Sequence, residues 1–190
     1  MIRTDGTIRS YLITDPAFYG TTPRSLFETT VASLGKHHPD FACFRDKTSA
    51  DYAVLAAAFV EAVRQEGSAM AMLHGDPELA ARLGADGVHL PSNAYKAIPD
   101  AKRLGLYTVA SCHSCGELET AAGLGADAAT YSPVFASPGK GIPKGLEDLK
   151  EIVGKIDLNI FALGGITTPE QIGQVAATGA YGFASIRYFL

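Results

Sequence analysis

The chain of 190 residues has no tryptophan, three methionines and three cysteines. An odd, small number of cysteines argues against a disulfide scaffold and for a reducing cytoplasm as the expected compartment. No run of five like charges occurs, so neither a polybasic membrane patch nor an acidic tail is present. No apolar run approaches the roughly 18 residues that a membrane-spanning helix requires. The opening stretch MIRTDGTIRS also lacks the apolar core of a secretory leader. Positive charge is not in surplus: 16 Lys plus Arg stand against 20 Asp plus Glu, a formal net charge of −4. That balance argues against nucleic acid as the main partner. The Cys112-His113-Ser114-Cys115 segment has no second CxxC to complete a zinc site, and no acidic pair has evident metal-binding spacing.

What the chain does have is repetition. Short apolar runs recur eight times: 11–14, 41–44, 69–73, 87–90, 107–111, 128–132, 160–165 and 181–185. They do not alternate with polar residues, which is the pattern of parallel strands buried on both faces. Helical patterns lie between them. Thr22-Pro23 starts one, Ser49 is positioned to cap ADYAVLAAAFVEAVRQ, and Asp76-Pro77 starts another. Ser114 with Glu117 three residues on has the capping-box offset, and 144–156 and 169–177 complete the set. Three helices end in LGAD, LGAD and TGAY just before the next strand, where glycine supplies a left-handed turn. Strand-helix units repeated eight times predict a (β/α)8 TIM barrel of the phosphate-binding type; an open doubly wound sheet is the alternative. Residues 1–190 read as a single domain. Eight units leave about 24 residues each, so loops must be minimal and the last helix truncated. The flank this leaves uncovered is compatible with a homo-oligomer.

A barrel places its active site at the C-terminal ends of the strands. His113 ends the fifth strand, where an imidazole serves as general acid or base or as a structural hydrogen bonder. Arg45 and Lys47 share one face of the second strand's end; they either clasp an anion or leave Arg45 paired with Asp46. Lys140 sits in the Gly/Pro-rich segment FASPGKG, as a lid cation or a solvated one. Gly164-Gly165 is either a phosphate-receiving loop or a tight turn. His74 and His89 end the third and fourth strands. His37 and His38 precede the second strand, so they read as inert surface residues at the opposite end.

These motifs resemble, in order and spacing, the family of thiamine phosphate synthase and its relative TenI, the thiazole tautomerase. The resemblance runs from YLITDP at 11–16 to GAYGFASI at 179–186, through CFRDK, LGADGVHLP, ASCHS, LGADAATYSPVFASPGKG and LGGIT. It implies a phosphate-binding (β/α)8 barrel. Arg45 and Lys47 match the basic pair that binds pyrophosphate in the synthase, Lys140 the flexible-loop lysine and Ser137 one of its hydroxyls. Gly164, Gly165, Ala184 and Ser185 match the thiazole phosphate site, and His113 matches the catalytic histidine of TenI. Ser111 is retained. Where the synthase carries its two metal-binding carboxylates, this chain has His74-Gly75 and Pro91-Ser92-Asn93, and Cys43 replaces a glutamine used for the pyrimidine. These departures lie on the TenI side. The resemblance therefore implies a metal-independent thiazole tautomerase acting on a small phosphorylated heterocycle, with no cofactor and no membrane. The alternatives are a divergent thiamine phosphate synthase, which would need Mg²⁺, or a non-catalytic thiazole-phosphate-binding regulator.

Overall fold

The computed structural model describes residues 8–190; the opening segment 1–7, part of the stretch read as lacking a leader, lies outside them. Eight parallel strands form a closed barrel in sequence order. They are β1 (Arg9–Ile13), β2 (Phe41–Phe44), β3 (Met70–His74), β4 (Gly87–Leu90), β5 (Tyr107–Cys112), β6 (Ala128–Tyr131), β7 (Asn159–Leu163) and β8 (Gly182–Ser185). Pairing of β1 with β8, Tyr11 opposite Ala184 and Leu12 opposite Ser185, closes the ring and excludes the open sheet. Each strand falls within a few residues of an apolar run read from the sequence.

Strand parity divides the core in two. Inward-facing Tyr11, Phe41, Cys43, Met72, Val109, Ala128, Phe161 and Ala184 fill the barrel. Three rings meet at its centre: the centroids of Tyr11, Phe41 and Phe161 lie 5.2–5.6 Å apart. Such bulk fits because small residues face it. A Cβ at Gly182 would come within 2.6 Å of the Phe161 ring, and one at Gly87 within 2.6 Å of the Met72 methyl. The outward-facing residues, among them Leu12, Phe44, Leu73, Leu90, Ala110 and Cys112, pack beneath the helices.

Those helices are α1 (Pro16–Tyr19), α2 (Pro23–His37), α3 (Tyr52–Glu66), α4 (Pro77–Leu83), α5 (Ile98–Arg103), α6 (Cys115–Gly123), α7 (Gly145–Lys155) and α8 (Pro169–Ala176). Thr22 and Thr168 form full capping boxes, and Asp76 accepts the Leu79 N–H. Gly84, Gly125 and Gly179 take positive φ (68°, 88° and 83°), as the LGAD and TGAY endings require. Ser49 does not cap α3: Asp51 occupies that position without a side-chain bond, while the Ser49 hydroxyl donates to Asp46. The short α1, and α5 with the turn Tyr95–Ala97 before it, had no counterpart in the pattern.

After β8 the described residues make one 3₁₀ turn, Arg187–Phe189. Phe189 is buried and stacks on Phe183 at 5.8 Å. His37 packs against Tyr188 and Phe189 (5.9 and 5.7 Å), and Lys36 Nζ donates to the Leu190 carbonyl at 3.0 Å. His37 is thus no inert surface group; burial, then Lys36, lowers its basicity.

Candidate active site

A cavity of about 560 Å³ opens at the C-terminal end of the barrel. Every residue the sequence put forward lines it: Arg45, Lys47, Ser111, His113, Ser137, Lys140, Gly164, Gly165, Ala184 and Ser185.

The cationic rim comes from two loops. Behind β2, the Arg45 N–H donates to Thr14 Oγ1 (2.9 Å), and its guanidinium stands 3.9 Å from Asp15, not against Asp46. Asp46 turns away. It accepts the N–H groups of Thr48 and Ser49 (2.8 and 3.1 Å) and both their hydroxyls (2.9 and 2.5 Å). Burial opposes its ionisation, but these bonds outweigh that and hold its carboxyl below the usual range. This turn brings Arg45 and Lys47 to the rim together. The Lys47 amine is made less basic by Arg45 first, then by burial and by Lys140. Cations from β2 and β6 therefore converge.

The segment after β6, reached through a cis Ser132–Pro133 peptide, is stapled to β7. Val134 N–H donates to Leu163 O (2.9 Å) and Phe135 N–H to Gly164 O (3.0 Å). Gly164 (φ 102°) and Gly165 (φ 71°) make that contact possible. A Cβ on Gly164 would lie 2.9 Å from Pro133 Cα, and one on Gly165 2.5 Å from the Ala136 carbonyl. The glycine pair is thus both a forced close approach and part of the cavity wall. Ser137 donates to Phe135 O at 3.3 Å. The Ser185 hydroxyl is already engaged, donating to Ile166 O and accepting Tyr188 N–H. What Ser185 leaves for an anion is backbone. Arg187, two residues on, lines the same cavity.

His113 is exposed at the rim. Its Nδ1 lies 3.0 Å from Ser132 O and 3.2 Å from Ser132 Oγ, and its backbone N–H donates to Glu117. A carbonyl only accepts, so Nδ1 carries the proton and Nε2 keeps a lone pair. Glu117 thereby spends its carboxylate one residue before the expected capping-box position, although Ser114 does cap α6.

Between these loops, β3 to β5 present His74, His89 and Ser111. His89 is buried, with Nδ1 3.1 Å from Tyr11 Oη and Nε2 3.0 Å from Ser111 Oγ. Burial, then His74 and Arg45, push its basicity down to about 3; burial, then Arg45 and Lys47, bring His74 to about 4. Tyr52 fixes the His74 backbone through bonds to its carbonyl (2.8 Å) and from its N–H (3.1 Å).

The CxxC pair is not built for redox chemistry. Cys112 is buried, and burial pushes its thiol up to about 11; Cys112 and Cys115 are both free. Magnesium, which the synthase resemblance implies, takes oxygen ligands, with carboxylates usual. Among the described residues no three His, Cys, Asp or Glu side chains are grouped to hold a metal, and the carboxylate lining the cavity, Asp15, accepts Ala17 N–H and faces Arg45. One carboxylate thus lines the cavity where the synthase resemblance implies two.

Sequence reasoning missed Thr130, Phe18 and Arg187, all of which line the cavity. Thr130 was legible by parity, two residues beyond inward-facing Ala128. Phe18 and Arg187 depend on α1 and on the C-terminal turn, neither of which was in the pattern.

A closed (β/α)8 barrel with a cationic, glycine-walled mouth belongs to the class of barrels built to receive a small anion at that end. The comparisons narrow that class. The profile of the family described as thiamine monophosphate synthase (TMP-TENI) matches residues 10–189, and the chain belongs to this family, whose members serve thiamine biosynthesis. The chain is 33% identical over 187 residues to a putative thiamine-phosphate synthase 2 of Aquifex aeolicus, covering 96% of this chain and 97% of that protein. It is 33% identical over 184 residues to a thiamine-phosphate synthase of Methanoculleus marisnigri, covering 93% and 84%. Among solved structures it is similar to a thiamine phosphate pyrophosphorylase from Pyrococcus furiosus, with a TM-score of 0.79, 25% identity and coverage of 94% and 85%. Both curated relatives carry the names of thiamine-phosphate synthases, which favours synthase over tautomerase without deciding between them for this chain.

Proposed function

We propose that the protein is a thiazole tautomerase that works without a metal ion, in the cytoplasm, on a thiazole carrying a phosphate. The observation that supports this most is the His113 imidazole, locked by Ser132 with its proton on Nδ1 and a lone pair on Nε2 at the cavity rim. Arg45, Lys47 and Lys140, with the backbone at Gly164, Gly165, Ala184 and Ser185 and the hydroxyls of Ser111 and Ser137, hold the phosphorylated substrate. Anchoring the phosphate fixes the ring beside the imidazole. Nε2 takes a proton from one ring position, the imidazolium is stabilised by the Ser132 carbonyl, and the same proton is returned at another position.

One observation favours a second reading. Arg45 and Lys140 both lower the basicity of Lys47, a convergence of three cations that suits a diphosphate better than a monophosphate, and the relatives are named as synthases. On that reading the chain joins thiazole phosphate to a pyrimidine diphosphate and releases pyrophosphate.

Parallel assays separate the two. Tautomerisation is expected to continue in a strong chelator, and His113→Ala to lower kcat by about 10²- to 10⁴-fold with thiazole phosphate binding retained. Thiamine phosphate formed from both substrates only with Mg²⁺ would overturn the tautomerase reading. Stabilisation by thiazole phosphate with turnover of neither kind would identify a binder instead.

A further inference from the structure

The cavity is chemically two-sided. Ile13, Leu163, Ile166 and Ile186, from β1 and the ends of β7 and β8, give it an apolar wall; His74, His89, Ser111 and Thr130, from β3 to β6, give it a polar one. Thr130 faces inward, opposite Ser111 on one side and Phe161 on the other. It is 0% exposed, yet its Oγ1 has no hydrogen-bond partner in the protein. A buried hydroxyl left without a partner costs stability and is rare in native proteins.

The neighbouring hydroxyl is aimed the same way. Burial keeps Tyr11 protonated, and in the tautomer we assign its O–H donates to His89 Nδ1. The neutral ring then carries its proton on Nε2 and donates it to Ser111 Oγ. Ser111 Oγ makes no other bond within the protein among the described residues, so its own proton is free for a ligand. Two hydroxyls on adjacent strands thus line the polar wall, one a directed donor and the other wholly unpartnered. Thr130 accepts or donates as the ligand demands.

We propose that Thr130, with Ser111 beside it, is the specificity-determining edge that reads the ring nitrogen of a phosphorylated heteroaromatic ligand, the ring's carbon and sulfur atoms lying toward the apolar wall. The inference rests on the cavity being a site for such a ligand. It goes beyond the proton transfer at His113 because it sets which edge of the ring faces which wall. It also gives the unpartnered hydroxyl a function: the free protein carries an unmade hydrogen bond that binding completes.

The test compares thiazole phosphate with its thiophene analogue, in which CH replaces the ring nitrogen, by calorimetry on wild type, Thr130→Val and Thr130→Ser. Wild type is expected to prefer the thiazole by about three- to fifteen-fold, the worth of one neutral hydrogen bond. In Thr130→Val the two ligands should bind within about twofold of each other, and Thr130→Ser should keep the preference. Thermal unfolding supplies a readout that needs no ligand. Free Thr130→Val should melt at or above the wild-type temperature, because it removes a buried orphan.

An unchanged preference in Thr130→Val overturns the inference, since a trapped water would then satisfy the hydroxyl. A lower melting temperature with equal weakening of both ligands overturns it too, reducing Thr130 to packing. If wild type binds neither compound, this inference and the proposed function fall together. If the preference behaves as expected but no tautomerisation occurs, only the proposed function falls.

Discussion

The hydroxyl of Ser185 donates to Ile166 O at 2.7 Å and receives the Tyr188 N–H at 3.2 Å, so one side chain ties the β7 loop, the end of β8 and the C-terminal turn together. Ser185 is 5% exposed and Ile166 1%, so the Ile166 carbonyl has little water to fall back on. Removing the hydroxyl in Ser185→Ala leaves a carbonyl and an N–H unpaired, which costs about 1–3 kcal/mol. The residue's amide, its proposed contribution to an anion site, survives the change. Denaturant unfolding should therefore show the loss of stability, while the affinity for inorganic phosphate falls far less than in Arg45→Ala. Unchanged stability with phosphate binding abolished would mean that the hydroxyl itself holds the anion.

The loop after β2 shows how an element-sized feature sets the site. Asp46 gathers four donors from Thr48 and Ser49, and the tight turn this makes delivers Arg45 and Lys47 to the same rim. Asp46→Ala removes a negative charge near the cations, which by long-range electrostatics alone would tighten anion binding. Loss of the turn acts in the opposite direction and should win, lowering pyrophosphate affinity several-fold in a calorimetric titration; tighter binding would show that the turn does not position the pair. The same loop marks where the sequence stops being legible. Strands declared themselves because doubly buried parallel strands are unbroken apolar runs, and Thr22, Asp76 and Ser114 declared helix starts through local bonds. Ser49 looked equally good as a cap, but its hydroxyl is turned to Asp46 and α3 begins only at Tyr52, after Asp51. Helix α5 escaped because Ile98–Arg103 is six residues long with a proline inside. In the site, strand-end parity gave the cations, His113 and the glycines. It could not give the orphaned state of Thr130 or the direction of the Tyr11–His89–Ser111 chain, which arise only when β1, β4, β5 and β6 are brought into one ring.

At the scale of the whole molecule, a chain of net charge −4 keeps a positive mouth because Arg45, Lys47, Lys140 and Arg187 outnumber Asp15 in the cavity lining and the buried histidines add no charge. His74 and His89 are neutral at pH 7, lowered to about 4 and about 3 by burial and by the cations beside them. In the unfolded chain both return to about 6.5. Between about pH 4 and 6.5 the unfolded state therefore binds more protons than the folded one, so stability rises with pH through that window and is lost as pH falls. From pH 7 to pH 5 the loss is on the order of 2 kcal/mol for each histidine. His37, lowered in the same direction by burial and Lys36, adds to it. Urea midpoints measured at pH 7, 6 and 5 should fall steadily, and His74→Asn should flatten part of the slope while keeping a neutral polar group in the wall. Identical midpoints across that range would mean that the two imidazoles take up protons in the folded protein as they do in the unfolded chain, and that the inner wall of the cavity becomes charged as pH falls through 6.5.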